Sequence, residues 1–304
     1  MYSRNIAFLI AAPYSGATLF SILMNQHPAI SSDGEMFPFE RGNKILCSCG
    51  RLQKDCAYYR TVASSMLTEN KRNYDDNLFY YVPRYSQNYY LSRAFEGFWL
   101  NTFAHKLRNF LCTSISKLKN IEDEFIEIHM QFYSKSLDLR NARVYFDGSK
   151  SLRRAELFAG RNLTTKLIHL IRDGRAFCNS FIKNKGLHRR NLALGAKVWE
   201  KSIRKVDILR KRFPEVEILD VRYNDLCNST ESELKRIWGF LGVDFDRGFL
   251  EYHAKDMHIV GNRMRNEYNG LIREDHSWKR QLKNDEIKVL NKLMIHGLKR
   301  FDFL

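Results

Sequence analysis

"APYSGATLF", residues 12–20, decides the fold. It follows the apolar run Ile6–Ile10 and leads into Leu19, Ile22 and Leu23 at helical spacing. A buried strand, a turn of small residues and an amphipathic helix, in that order, open a parallel α/β sheet. Amides at a helix N-terminus are unpaired and carry partial positive charge, so the turn Ser15, Gly16, Ala17, Thr18 is one that an anion can approach. A nucleotide kinase or GTPase would carry G-x-x-x-x-G-K-[ST] here; this loop has the single glycine Gly16 and no lysine. Taken alone, the same residues also fit an ordinary tight strand-to-helix turn.

Further buried strands read at Val144–Phe146, Leu167–Ile171 and Val216–Val221, with a weaker one at Ala29–Ser31. Between them lie helical patterns. Ala196, Trp199, Ile203 and Val206 share one face of a helix over Leu192–Phe213 that Pro214 ends. Thr230 and Glu233 form a capping-box pattern before Leu234, Ile237, Trp238 and Leu241, and Ile287, Leu290, Leu293 and Met294 make a terminal amphipathic helix. Alternation of strands and helices predicts a parallel sheet with helices on both faces and ligands at the carboxyl ends of the strands. Residues 58–140 interrupt the alternation. They are rich in aromatics (Tyr80, Tyr81, Tyr89, Tyr90, Phe95, Phe98, Trp99), and the spacing of Phe95, Phe98/Trp99 and Thr102/Phe103 predicts a helical insertion packed on the sheet. With no linker or repeat, the expectation is one domain over 1–304, with 58–140 as an insertion that could cap the acceptor side.

Two later stretches add anion chemistry. In "LIHLIRDGRAFCNSFIKN", residues 167–184, Arg172 sits just past a buried strand, Asp173 can cap the next helix, and Ser180 falls two turns in. A guanidinium fork with a hydroxyl suits a second phosphate, although Arg172 could equally pair with a surface carboxylate. "GNRMR", residues 261–265, supplies Asn262, Arg263 and Arg265 to a third loop, ahead of "DHSWKRQL", residues 275–282, in which Trp278 anchors the terminal helix.

Lys and Arg number 50 against 34 Asp and Glu, a formal charge of +16 that fits an anionic ligand or a basic solvated surface. No Lys/Arg tract of nucleic-acid type stands out. No apolar run approaches the ~18 residues of a membrane span. Met1 leads almost directly into a core strand, which leaves no room for a leader and makes the expectation cytoplasmic. Six cysteines are too sparse for a disulfide scaffold, yet Cys47, Cys49 and Cys56 crowd into "CSCGRLQKDC". C-x-C is tighter than the usual C-x₂₋₄-C zinc spacing and no fourth ligand is evident, so a local turn with buried thiols is the expectation over a metal site.

Together these motifs resemble the sulfotransferase family that uses 3′-phosphoadenosine 5′-phosphosulfate (PAPS), in its bacterial and protein-tyrosine branch. Tyr14–Leu19 is similar to the family's 5′-phosphosulfate loop, R/K-S-G-[ST]-T-L. "HPAISSDGE", residues 27–35, resembles its H-P…G-E stretch, and "FDGSKSLRR", residues 146–154, its lysine segment. "IRDGRAFCNS", residues 171–180, resembles the 3′-phosphate motif R-D-P-R…S with Gly174 in place of proline, and "GNRMR" the C-terminal cofactor loop. "CSCGRLQKDCAYYR" also recurs in the bacterial group.

The resemblance implies a P-loop NTPase-like fold and transfer of a sulfuryl group from PAPS, with 3′-phosphoadenosine 5′-phosphate (PAP) as product and no metal required. The acceptor would be a carbohydrate, a lipid-linked glycan or a tyrosine-like phenol, and oligomeric state is left open. It implies Glu35 as general base, with Glu40 and His27 as alternatives, and Lys150 as the cation at the leaving oxygen. Tyr14, Ser15, Gly16, Ala17, Thr18 and Leu19 would take the 5′ end; Arg172, Ser180, Asn262 and Arg263 the 3′ end. Tyr14 stands where relatives carry arginine or lysine, and a phenol brings no charge. Two other readings stay open: a degenerate sulfotransferase fold that binds a nucleotide or polyanion without turnover, and a P-loop kinase.

Overall fold

The computed structural model describes residues 5–35, 45–70 (67–70 as backbone only), 82–86, 88, 95–164, 166–250 and 257–304. Glu40 and the aromatics Tyr80, Tyr81, Tyr89 and Tyr90 lie outside the described residues. Five strands, β1 (Asn5–Ala11), β2 (Ile30–Ser31), β3 (Val144–Asp147), β4 (Lys166–Ile171) and β5 (Glu217–Arg222), form a parallel sheet in the order β2-β3-β1-β4-β5. Each runs within about a residue of its sequence reading; β1, β3 and β4 are apolar runs buried on both faces, whereas β5, at the sheet edge, is mostly half-buried. Along β1 the pleat sends Ile6, Phe8 and Ile10 into one core and Ala7 and Leu9 into another.

The helices are α1 (Ala17–Asn25), α2 (Ala57–Asn70), α3 (Thr102–Ser114), α4 (Ser116–Arg140), α5 (Leu152–Ala159), α6 (Gly174–Lys185), α7 (Leu192–Arg212), α8 (Tyr223–Asn228), α9 (Thr230–Leu241), α10 (Met264–Glu267), α11 (Ser277–Gln281), α12 (Asn284–Leu293) and α13 (Ile295–Arg300). α1 and α9 cover the Ala7/Leu9 face; α2, α4 and α5 cover the other. The chain is thus a P-loop NTPase-like α/β fold with a helical insertion. Among the described residues no helix is long and apolar enough to cross a membrane.

The aromatic spacing at Phe95–Phe103 predicts a helical insertion; residues 95–96 are helical, 97–101 are not, and α3 starts at Thr102, where the Asn101 side chain accepts the Ala104 N–H at 3.0 Å. The Thr230/Glu233 capping box is absent. Ser229 takes the N-cap position, Thr230 bonds back to Leu226 O at 2.8 Å, and Glu233 pairs with Arg236.

The insertion is fastened to the sheet by buried charge. Glu156 of α5 receives Arg108 from α3 at 2.6 Å, Arg212 from α7 at 2.9 Å and Arg153 at 3.1 Å, and Arg153 also reaches Glu122 of α4 at 2.6 Å. Burial pushes the Glu156 pKa up, but His105, Arg108 and Arg153 outweigh it and hold the carboxyl down at about 2. A depressed carboxylate contributes stability that is full above its unfolded value and is lost as pH falls towards its folded one. Acid titration should therefore weaken this seam between pH 4.5 and about 2. Glu156→Gln should cost about 3–5 kcal/mol in urea unfolding at neutral pH, since Arg108 and Arg212 lose their counter-charge and Arg153 keeps only Glu122. It should also flatten the acid limb; an unchanged midpoint would refute the role assigned to the seam.

Candidate active site

β1 lies between β3, which the chain reaches on one side, and β4, on the other. This is a topological switch point, and loops at its carboxyl edge diverge to leave a crevice. The crevice is a cleft of about 420 Å³ lined by Pro13, Tyr14, Gly16, Ala17 and Thr18 after β1, Ser149 and Lys150 after β3, Glu35 after β2, and Asn262.

The first loop turns sharply. Tyr14 and Gly16 are left-handed, with φ 62° and 91°. Gly16 is the N-cap of α1 and brings no side-chain cap. A Cβ at Gly16 would stand 2.2 Å from the Tyr223 ring, so glycine is required by backbone and by space. Ser15 is buried, and its Oγ has no hydrogen-bond partner among the described residues. A buried hydroxyl without a partner beside a helix N-terminus is the mark of a site that expects a polar ligand. Thr18 Oγ1 accepts the Asn262 N–H at 3.2 Å, which seats the C-terminal loop on α1.

Lys150 is held from below. Asp147, at the end of β3, receives Arg154 at 2.8 Å, the Tyr133 hydroxyl at 2.6 Å, the Ser149 N–H at 2.8 Å and the Ser149 hydroxyl. Burial works against ionisation of Asp147, but Arg154 and these donors prevail and lower its pKa. The turn so fixed carries Lys150 in a left-handed conformation, φ 62°. The Lys150 ammonium donates to Glu35 Oε1, joining the two residues that the sequence marks for catalysis. Glu35 is fixed in turn: its N–H donates to Val260 O at 2.8 Å, and Gly34 bridges Val260 in parallel. Neighbouring Asp33 is buried and takes the Tyr145 hydroxyl at 2.8 Å; burial raises its pKa despite Arg140.

Arg172 leaves β4 towards the first loop and donates to Tyr14 O at 3.0 Å and to Asp275 at 3.0 Å. It lies over the Tyr223 ring at 5.3 Å. Asp173 caps α6 through the Arg175 N–H, and Ser180 stands half-buried two turns on. The first loop and Arg172 therefore share one end of the sheet.

The arginines of "GNRMR" do not enter the cleft. Arg263 is 90% exposed and pairs with Glu267 one turn along, while Arg265 donates to the Leu46, Gly261 and Asn262 carbonyls. Leu19 is a core residue, so only its backbone is near the loop. His27 is packed, as its place at a helix end predicts. Its Nε2 donates to Asp244 O at 2.8 Å and its Nδ1 accepts the Ala29 N–H, and burial lowers its pKa. Trp278 packs in the core around α6 and α7 with Arg175 stacked at 4.7 Å, which anchors the terminal helices. Cys47, Cys49 and Cys56 do gather, and His258 joins them.

Three residues have no forecast in the sequence: Asp147, Tyr223 and His258. Tyr223 directly follows β5, so the strand-end rule could have found it. His258 stands 202 positions from Cys56, beyond any local spacing.

The fold and cleft define a class: a P-loop NTPase-like α/β protein with a cleft at its switch point. The Sulfotransferase family profile matches residues 7–247, and the chain belongs to that family. Solved structures agree on the fold. The sulfotransferase domain from the Synechococcus PCC 7002 olefin synthase is 18% identical with a TM-score of 0.50, covering 96% of each chain. The sulfotransferase STF9 from Mycobacterium avium is 12% identical with a TM-score of 0.50, covering 99% of this chain and 78% of its own. No curated protein matches the chain significantly.

Gly16→Ala should destabilise the chain by more than the ~1–2 kcal/mol of a left-handed alanine, because the Tyr223 ring must also move. Urea unfolding checks this; a variant as stable as the parent would show that the loop is not confined as described.

Proposed function

We propose that this chain transfers a sulfuryl group from PAPS to the hydroxyl of a carbohydrate, a lipid-linked glycan or a tyrosine-like phenol. The observation that carries the proposal is the meeting of Glu35 and Lys150, 115 positions apart, in the cleft that the first loop floors. The partnerless Ser15 hydroxyl supports a fit to the donor's 5′ end. Ser15, Gly16, Ala17, Thr18 and the Leu19 amide would hold that end, with the Tyr14 phenol beside them. Arg172 and Ser180 would clamp the 3′-phosphate, which would take over from Asp275 as the anion on the guanidinium. Asn262 would close the cleft. Arg263, solvent-facing and paired, is left out of this reading.

PAPS supplies an activated sulfuryl group whose departing oxygen gains negative charge. Glu35 takes the proton from the acceptor hydroxyl. Lys150 turns its ammonium from Glu35 to the developing charge, and the braced turn beneath it fixes where that charge is met. In the resting pair each group neutralises the other, so occupancy of the cleft both separates them and puts them to use. Sulfuryl transfer makes the demands of phosphoryl transfer, positioning and charge stabilisation, and these two side chains supply both.

Tyr14 favours a second reading. Its ring lies against Phe181 at 6.5 Å and brings no cation to the first loop, as a binder without turnover would tolerate. Transfer of labelled sulfate to any acceptor separates the two.

PAP should raise the melting temperature more than ATP or AMP; equal shifts would count against the bisphosphate site. Lys150→Ala should abolish transfer while PAP binding largely persists, and unchanged turnover would remove its role. Glu35→Gln should lower the rate by ~10²–10⁴ with PAP binding kept or tightened. A loss below tenfold would place the base elsewhere.

A further inference from the structure

Cys47, Cys49, Cys56 and His258 bring one ligand atom each to a single point, all within 4.8 Å of one another. We infer that these four residues form a structural zinc site that fastens the segment 257–262 to the loop 46–56. The inference stands apart from the proposed activity and does not need it.

Three of the ligand–ligand distances lie close to those of a tetrahedron. Zn–S bonds of ~2.3 Å and Zn–N bonds of ~2.0–2.1 Å put neighbouring sulfurs ~3.8 Å apart and sulfur and nitrogen ~3.6 Å apart. Cys49 and Cys56 sulfurs stand 3.7 Å apart, and His258 Nδ1 lies 3.2 Å from Cys56 Sγ and 3.7 Å from Cys47 Sγ. A disulfide would need ~2.0 Å. Both sulfurs face Nδ1, so a ligating nitrogen points inward. The Tyr58 ring, parallel to the imidazole within 1° at 5.0 Å, fixes its plane.

The backbone is shaped around the sulfurs. Left-handed Gly50 (φ 82°) turns the chain after Cys49, with its N–H on Cys47 O at 2.9 Å. Ser48 stitches the halves together: its Oγ donates to Met257 O at 2.6 Å and accepts the Ile259 N–H at 2.9 Å. Three thiolates and a neutral imidazole around Zn²⁺ leave one negative charge, and the Arg265 guanidinium sits on Leu46 O at 2.8 Å beside it. Soft sulfur ligands in tetrahedral array select zinc over the oxygen-seeking cations. Four protein ligands close the coordination sphere, which makes the site structural. Two residues past His258, Val260 holds the Glu35 backbone, so the metal would brace one wall of the cleft.

The full chain, produced with zinc under reducing conditions and dialysed against EDTA, should carry one equivalent of zinc by mass spectrometry. Cobalt substitution should give the visible bands of a tetrahedral thiolate site. Cys49→Ser, at the exposed ligand, and His258→Ala should each lower zinc content at least tenfold, while Cys227→Ser, outside the cluster, should not. A folded parent chain, by circular dichroism, that neither retains zinc nor takes up cobalt overturns the site. Full zinc in both ligand variants overturns it as well, because the ion would then sit elsewhere.

Discussion

The geometry at this sheet edge depends on a buried carboxylate. Asp147 ends β3 with every approach filled: Tyr133 from the insertion, Arg154 from the following helix, and the amide and hydroxyl of Ser149 from its own turn. A buried ion pair is a weak source of net stability but an exacting one, since loss of either partner leaves a stranded charge. Here that exactness is spent on position. The turn that Asp147 closes has only three residues in which to present Lys150, and it does so at a positive φ that lysine rarely adopts. The surrounding bonds determine that conformation, and the ammonium is delivered to Glu35 rather than to solvent.

Strain and charge recur together around the cleft. Tyr14, like Lys150, is a non-glycine residue held in the left-handed region, a cost of about 1–3 kcal/mol each that persists only where neighbours enforce it. For Tyr14 the enforcement comes from Arg172, whose guanidinium holds the tyrosine's carbonyl and an exposed carboxylate at once. The same cation thereby shapes the first loop and offers a charge beside it. An anion that drew Arg172 off Asp275 would act on the first loop through the remaining bond.

Much of this was legible before any coordinates, and the rest was hidden for physical reasons. The inner strands β1, β3 and β4 read directly because they bury both faces and so appear as apolar runs, while the edge strand β5 read by its apolar residues Val216, Ile218 and Val221. The first loop, Glu35 and Lys150 read by motif, and the fold brings them to one cleft. Arg263 read as a ligand because a loop arginine looks the same whether it faces a cleft or its own helix. Glu267, one turn on, takes it in the structure. The start of α3 at Thr102 was not legible, because periodicity does not see a cap, and Asn101 is one. Asp147 was hidden since a single acidic residue at a strand end carries no pattern. His258 was hidden because its partners lie about two hundred positions away, and only packing relates them.

That distance bears on how the cleft is built. Its walls come from residues near 14, 35, 150 and 262, so most of the chain must be ordered before the last wall is in place. The segment 257–262 is the most remote; within the described residues it meets the rest through bonds to Asp33, Glu35, Thr18, Ser48 and Tyr59 and through the buried side chains of Met257, Ile259 and Val260. Closing so long a loop carries an entropic cost that grows slowly with length but must be met by contacts at its end. A handful of exchanged hydrogen bonds contributes only about 1 kcal/mol each. A four-point link at Cys47, Cys49, Cys56 and His258 would add to those contacts two residues from Val260, whose carbonyl accepts the Glu35 N–H. Stability of the cleft wall and placement of Glu35 are then one problem, met at one point in the chain.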